Sequence, residues 1–141
     1  GSWASASLSG LVAGAVALHG DGAPGRFRVV GPDVTLGPRP AMTLALMLHE
    51  LGTNAAKYGA LSTGAGHVAI TWSITGDPQT LAFRWEEIGG PPVAPPTRVG
   101  FGSRLIERSL AHSFGGAVRL TFPPAGVVLA LEAELSQVVA G

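Results

Sequence analysis

The chain has 141 residues, 46% of them hydrophobic and 13% charged, with nine basic side chains balanced by nine acidic ones and no cysteine. That length suits one domain with enough apolar residues for a core. The charge balance excludes nucleic-acid binding through a basic surplus, and the lack of cysteine excludes disulfides, thiol catalysis and thiolate metal sites.

No apolar run reaches the roughly 18–20 residues of a membrane span. The Leu8 to Leu18 stretch lacks the basic start of a signal peptide, so a cytoplasmic domain is expected. Gly1-Ser2 reads as a tag remnant, which predicts that a preceding region has been cut away. None of the four histidines stands at a metal-ligand spacing such as H-x-x-x-H. Eight of the nine basic residues are arginine, and Lys57, Tyr58 and Asn54 are each the only residue of their type. Three otherwise avoided side chains within five positions mark that stretch for chemistry.

In chain order, Leu8, Leu11, Val12, Ala15 and Val16 form a helical stripe within a helix from Ser5 to Leu18, capped by Ser5 or Ser7. Gly20 to Gly25 breaks the chain before a short strand, Arg26 to Val30. Pro40 opens the longest helix, Ala41 to about Tyr58, since proline is tolerated in a first turn. Its apolar face carries Leu44, Leu48, Leu51 and Ala55, and its polar face Glu50, Thr53, Asn54 and Lys57.

Alternation then predicts a strand from His67 to Thr75, with Val68, Ile70, Trp72 and Ile74 on one face. After an Asp77-Pro78 turn, Leu81, Phe83 and Trp85 point inward along the other arm of a hairpin. The run Gly89 to Pro96 can be neither helix nor central strand. A helix from about Ser103 to Ser113, with Leu105, Ile106 and Leu110 as its stripe, and strands Ala117 to Phe122 and Val127 to Leu135 complete the chain. Three helices and about five strands, mostly adjacent in sequence, predict an α+β two-layer sandwich.

Three places could carry chemistry. Glu50, Asn54 and Lys57 project from one helical stripe. A carboxylate, an amide oxygen and an ammonium so aligned suit magnesium and accompanying phosphates, because magnesium takes oxygen ligands and keeps waters. The plainer alternative is a solvated helix face. Gly100-Phe101-Gly102-Ser103 leads into a helix whose first N–H groups are unpaired donors, which suits a phosphate; a plain turn and cap is the alternative. Glu87, in Trp85-Glu86-Glu87-Ile88-Gly89-Gly90-Pro91, could accept a hydrogen bond from a base amine over a backbone floor; a surface glutamate before a loop is the alternative. His19, His67 and His112 read as structural or solvated.

Taken in order, these pieces resemble a known pattern. The run His49-Glu50-Leu51-Gly52-Thr53-Asn54-Ala55-Ala56-Lys57-Tyr58-Gly59-Ala60-Leu61-Ser62 resembles the N box of the HWE family of sensor histidine kinases. His49 matches the family's histidine, and Trp85 and Glu87 its Trp-x-Glu. Gly89-Gly90-Pro91 and Gly100-Phe101-Gly102-Ser103-Arg104-Leu105-Ile106 are similar to its two glycine boxes. The resemblance runs from about Arg26 to Leu135.

It implies a Bergerat ATP-binding fold, a mixed and mostly antiparallel sheet backed by about three helices, in residues 26–141, with residues 1–25 a tag remnant and leading helix. ATP and magnesium are the implied ligands: Asn54 on the metal, Glu50 beside it, Lys57, Tyr58 and His49 along the nucleotide, and Glu87 on the adenine amine. Gly89, Gly100, Phe101, Gly102, Ser103 and Arg104 are implied around the base and phosphates, with the Gly/Pro stretch between the glycine boxes as a short lid. The implied partners are an acceptor-histidine and dimerisation domain, an upstream sensor domain and a downstream response regulator. The acceptor histidine belongs to a helical segment that residues 1–141 do not contain, so the fragment alone is expected not to phosphorylate itself. Two other readings stay open: a nucleotide-binding module without chemistry, and a related ATPase or serine kinase.

Overall fold

The structure is a computed structural model that describes residues 6–20, 22–93 and 101–141, without the side chains of Phe101, Gly102 and Ser103. Strand β1 (Ala6–Ser7) turns directly into helix α1 (Leu8–His19), whose N-cap is Ser7: its hydroxyl accepts from the Gly10 N–H at 2.8 Å. Strands β2 (Phe27–Val30) and β3 (Thr35–Leu36) precede the long helix α2 (Pro38–Lys57). That helix starts three residues before the expected Ala41, because Pro38 as well as Pro40 fits a first turn whose N–H groups need no helical acceptor. A short 3₁₀ turn, Ala60–Ser62, leads to the hairpin β4 (His67–Thr75) and β5 (Thr80–Ile88). Helix α3 (Phe101–Phe114), strands β6 (Ala117–Thr121) and β7 (Val128–Glu134) and the short α4 (Leu135–Ala140) follow.

The main sheet has the order β2-β4-β5-β7-β6. Only β2 runs parallel to its neighbour; the β4–β5, β5–β7 and β7–β6 pairs are antiparallel. A separate ribbon joins β1 to β3. Period-two alternation divides the sheet into two faces. Val68, Ile70, Leu81, Phe83, Trp85, Leu129 and Leu131 lie in one core with Leu44, Met47, Leu48 and Leu51 of α2, Leu8 and Val12 of α1, and Leu110 and Phe114 of α3. Thr71, Ser73, Arg84 and Glu132 on the other face are exposed. The architecture is therefore the expected α+β sandwich, a mixed sheet backed by helices in the Bergerat arrangement.

The stripe of α3 is rotated from the expected one. Leu110 and Phe114 are buried and Ile106 half-buried, while Leu105 is 45% exposed. A helix carries its core contacts at i and i+4, and Phe114, one residue past the expected end, supplies the partner for Leu110 that Leu105 does not.

Candidate functional site

Helix α2 positions the first group. Its i, i+4, i+7 periodicity places Glu50, Asn54 and Lys57 on the same stripe as Thr43, whose Oγ1 lies 2.5 Å from Ser113 Oγ of α3. The stripe thus looks toward the α3 side. Glu50 and Asn54 are half-buried, Lys57 is exposed at the last turn, and Tyr58 is 51% exposed. The helix closes on the Asn54 main-chain carbonyl, which accepts from the N–H groups of Tyr58 at 2.8 Å and Gly59 at 3.1 Å. That bond belongs to the backbone, so the Asn54 amide is not spent on capping.

His49 is not brought to this stripe. Five residues along a helix turn through about 140° from Asn54, and His49 instead meets α1, its ring centroid 5.2 Å from that of His19. His19 also packs against Gly52, where any Cβ would strike its ring. Burial first, and the neighbouring His49 second, hold the His19 pKa below its ordinary value of 6.5. This pair serves the α1–α2 seam.

The second group lies at the end of β5. Trp85 and Glu87 share the inward face, and Glu87 is only 4% exposed. Its Oε1 accepts from the Ala60 N–H at 3.0 Å and its Oε2 from Trp85 Nε1 at 3.2 Å. Burial pushes the Glu87 pKa above its ordinary value, and the Ala60 and Trp85 hydrogen bonds pull back against it. The carboxylate is therefore built into the fold, and each oxygen still has acceptor capacity beyond the bond it makes. Around it the backbone closes tightly: a Cβ at Gly59 would strike Oε1, and one at Gly90 would strike Ala60. Gly89 has φ +77, a conformation that side chains other than glycine rarely adopt.

The remaining expected residues are more dispersed. Phe101, Gly102 and Ser103 form the first turn of α3; Gly100 and the segment 94–99, which was expected to form most of a lid, lie outside the described residues. Arg104 donates to Glu107 Oε1 at 2.8 Å and lies over the Phe122 ring at 5.5 Å. Glu107 Oε2 in turn accepts from the Leu120 N–H at 2.9 Å, tying α3 to the edge strand.

Sequence reasoning missed Arg26, expected as a strand residue. It is 9% exposed and precedes β2, where its NH1 donates to the carbonyls of Thr63 at 2.7 Å and Gly66 at 2.5 Å, and its NH2 to that of Leu61 at 2.9 Å. Seven other arginines in the chain gave no local signal to separate it.

The donor set fits magnesium in a limited way. No group of three or more His, Cys, Asp or Glu that could hold a metal occurs among the described residues. Glu50 and Asn54, one helical turn apart, supply oxygen ligands only, which suits an ion that completes its shell with water and phosphate.

No family model matches the chain. Among curated proteins it is 35% identical over 136 residues to the blue-light-activated histidine kinases of Brucella ovis and Brucella anthropi, a match covering 95% of this chain and 28% of each relative. The chain is a homologue of histidine kinases. It spans little more than a quarter of the length of these relatives. Among solved structures, the histidine kinase domain of the Erythrobacter litoralis blue-light activated histidine kinase superposes with a TM-score of 0.68 at 22% identity, over 92% of this chain and 60% of that one. The mycobacterial sensor histidine kinase MprB gives 0.67 at 17% over 92% and 96%, and the catalytic domain of histidine kinase ThkA 0.65 at 16% over 92% and 94%. The fold is that of histidine kinase catalytic domains. Among the described residues, no helix is long and apolar enough to cross a membrane.

Proposed function

We propose that this chain is the ATP-binding catalytic domain of a cytoplasmic sensor histidine kinase of the HWE family. Residues 26–141 form the catalytic unit, against which α1 packs. The observation that carries the reading is the buried Glu87 carboxylate, set in a glycine-lined backbone floor next to the end of the helix that bears Glu50, Asn54 and Lys57. The homology to histidine kinases supports the kinase part of this reading.

In this reading Glu87 accepts from the adenine 6-amine, and Gly89 lets the backbone approach the base. The Asn54 amide oxygen and the Glu50 carboxylate hold a hydrated magnesium ion. Bound magnesium supplies charge neutralisation to the phosphates. Lys57 adds a positive charge there, Tyr58 lines the nucleotide, and the α3 terminus, with Gly100, Phe101, Gly102, Ser103 and Arg104, receives the phosphate oxygens through its free N–H groups. These residues position and neutralise, which is most of what phosphoryl transfer asks of a protein. The γ-phosphoryl group passes to a histidine nitrogen on an acceptor and dimerisation domain, ADP leaves, and the imidazole gives up its N–H proton. A response regulator downstream and a sensor domain upstream complete the proposed chain of signalling.

The test uses γ-labelled ATP with magnesium. The 141-residue chain binds the nucleotide but acquires no stable label. Adding a separate polypeptide that carries the acceptor helices gives acid-labile, alkali-stable label on that polypeptide, lost when its histidine is replaced. Label on serine, free phosphate alone, or acid-labile label on one of this chain's own histidines each overturns the proposal.

A further inference from the structure

Arg26 and Glu87 are the only buried charged side chains among the described residues, and both grip the same segment. Glu87 takes the N–H of Ala60, while Arg26 takes the carbonyls of Leu61, Thr63 and Gly66. This segment leaves the end of α2 directly after Lys57 and Tyr58 and packs on the Glu87–Gly90 backbone, where Thr63 Oγ1 lies 3.4 Å from the Gly89 carbonyl oxygen. Buried carbonyls need partners, and a planar guanidinium with donors fixed in a fork can serve three diverging ones at once. A lysine ammonium, a single point on a flexible stem, cannot reproduce that spread. Arg26 thus ties residues 61–66 at three backbone carbonyls.

We infer that Arg26 is a positioning residue of the nucleotide site: by holding Leu61, Thr63 and Gly66 it fixes the 59–66 segment against Glu87, so that the base end of the site is formed before nucleotide arrives. The inference rests on the nucleotide-site reading above. It goes beyond that reading by assigning a role to a residue outside the boxes and by stating that the wall is preorganised. Affinity for a ligand falls in proportion to the fraction of protein already in the competent form. If loss of the clasp leaves the segment in place about one-tenth of the time, ATP affinity falls about tenfold by that relation.

The experiment compares the wild type with Arg26→Lys and Arg26→Gln by titration calorimetry with ATP and magnesium, under conditions in which each variant is folded, and by amide hydrogen exchange. The expected result is about tenfold weaker binding in Arg26→Gln, a smaller loss in Arg26→Lys, and faster exchange at Ala60 and Ser62 in both. A merely structural arginine would lower the melting temperature and leave the affinity of the folded variant unchanged, which overturns the inference, as does unchanged exchange at Ala60. If neither variant folds, the wild type decides alone. An Ala60 amide protected without nucleotide, and no more protected with it, supports preorganisation; an unprotected one that ATP orders overturns it. Failure of the wild type to bind ATP is a different result: it removes the nucleotide-site reading itself, whatever the exchange shows of the clasp.

Discussion

Replacing Glu87 by glutamine tests the buried carboxylate on which the base end of the site is built. Glu87 is 4% exposed and accepts two hydrogen bonds, from the Ala60 N–H at 3.0 Å and Trp85 Nε1 at 3.2 Å. A glutamine amide keeps one acceptor and turns the other into a donor. In either orientation it faces one of these two N–H groups with an N–H of its own. An unsatisfied buried donor costs about 1–3 kcal/mol. Working against this, the substitution removes a carboxylate whose ionised form burial disfavours, so the net loss at neutral pH falls at the lower end, about 1 kcal/mol.

The two contributions separate with pH. A carboxylate whose folded pKa is raised contributes stability that is full below its unfolded value, here 4.5, and is lost as pH rises through the folded value. The wild type therefore gains stability from Glu87 on acidification from neutral pH, and Glu87→Gln does not. The deficit of the variant, measured by urea denaturation across that range, should be smallest at neutral pH and grow toward pH 4.5. A deficit that stays flat, or shrinks on acidification, would refute the burial argument. Nucleotide affinity is the second readout. Loss of a hydrogen bond to a charged acceptor, about 1.5–3 kcal/mol, predicts ATP binding roughly ten to 150 times weaker.

Asn54→Ala should abolish the magnesium-dependent part of the ATP-induced melting shift while the fold stays intact, because alanine favours a helix by up to about 0.7 kcal/mol over asparagine; an unchanged shift means that Asn54 does not hold the ion. ATP should bind more tightly than GTP by about 1–3 kcal/mol in calorimetry, since the guanine carbonyl would face the Glu87 carboxylate without a proton between them, and equal affinities would count against Glu87 as the base reader. Gly59→Ala forces a Cβ onto Glu87 Oε1, so overpacking should cost about 1–3 kcal/mol in chemical denaturation and weaken ATP binding together with it. Ser7→Ala removes the acceptor of the Gly10 N–H and should cost about 1 kcal/mol of stability with nucleotide affinity unchanged.

What the sequence determined by itself is what depends on near neighbours. Alternation gave β4 its bounds, His67–Thr75, and set Leu81, Phe83 and Trp85 on the inward face of β5. The 3.6-residue period separated Leu44, Leu48, Leu51 and Ala55 from Glu50, Asn54 and Lys57 in α2. Ser7 was legible as one of two candidate caps, with Ser5, because a cap reaches only three residues along the chain, and the helix begins after Ser7. Tertiary structure alone decided which groups meet across the chain. Arg26 finds its carbonyls 35 to 40 residues away, and Glu87 finds Ala60 at a separation of 27. The helical period alone turns His49 away from Asn54, but only the packing of α1 on α2 brings His19 to it. Leu105 stays exposed because α3 turns the face of Ile106, Leu110 and Phe114 to the core, and Leu105 lies off that face. Periodicity tells a residue which way to face along its own element, but a buried charge is stable only where distant backbone comes to meet it, and that meeting is decided when the layers pack.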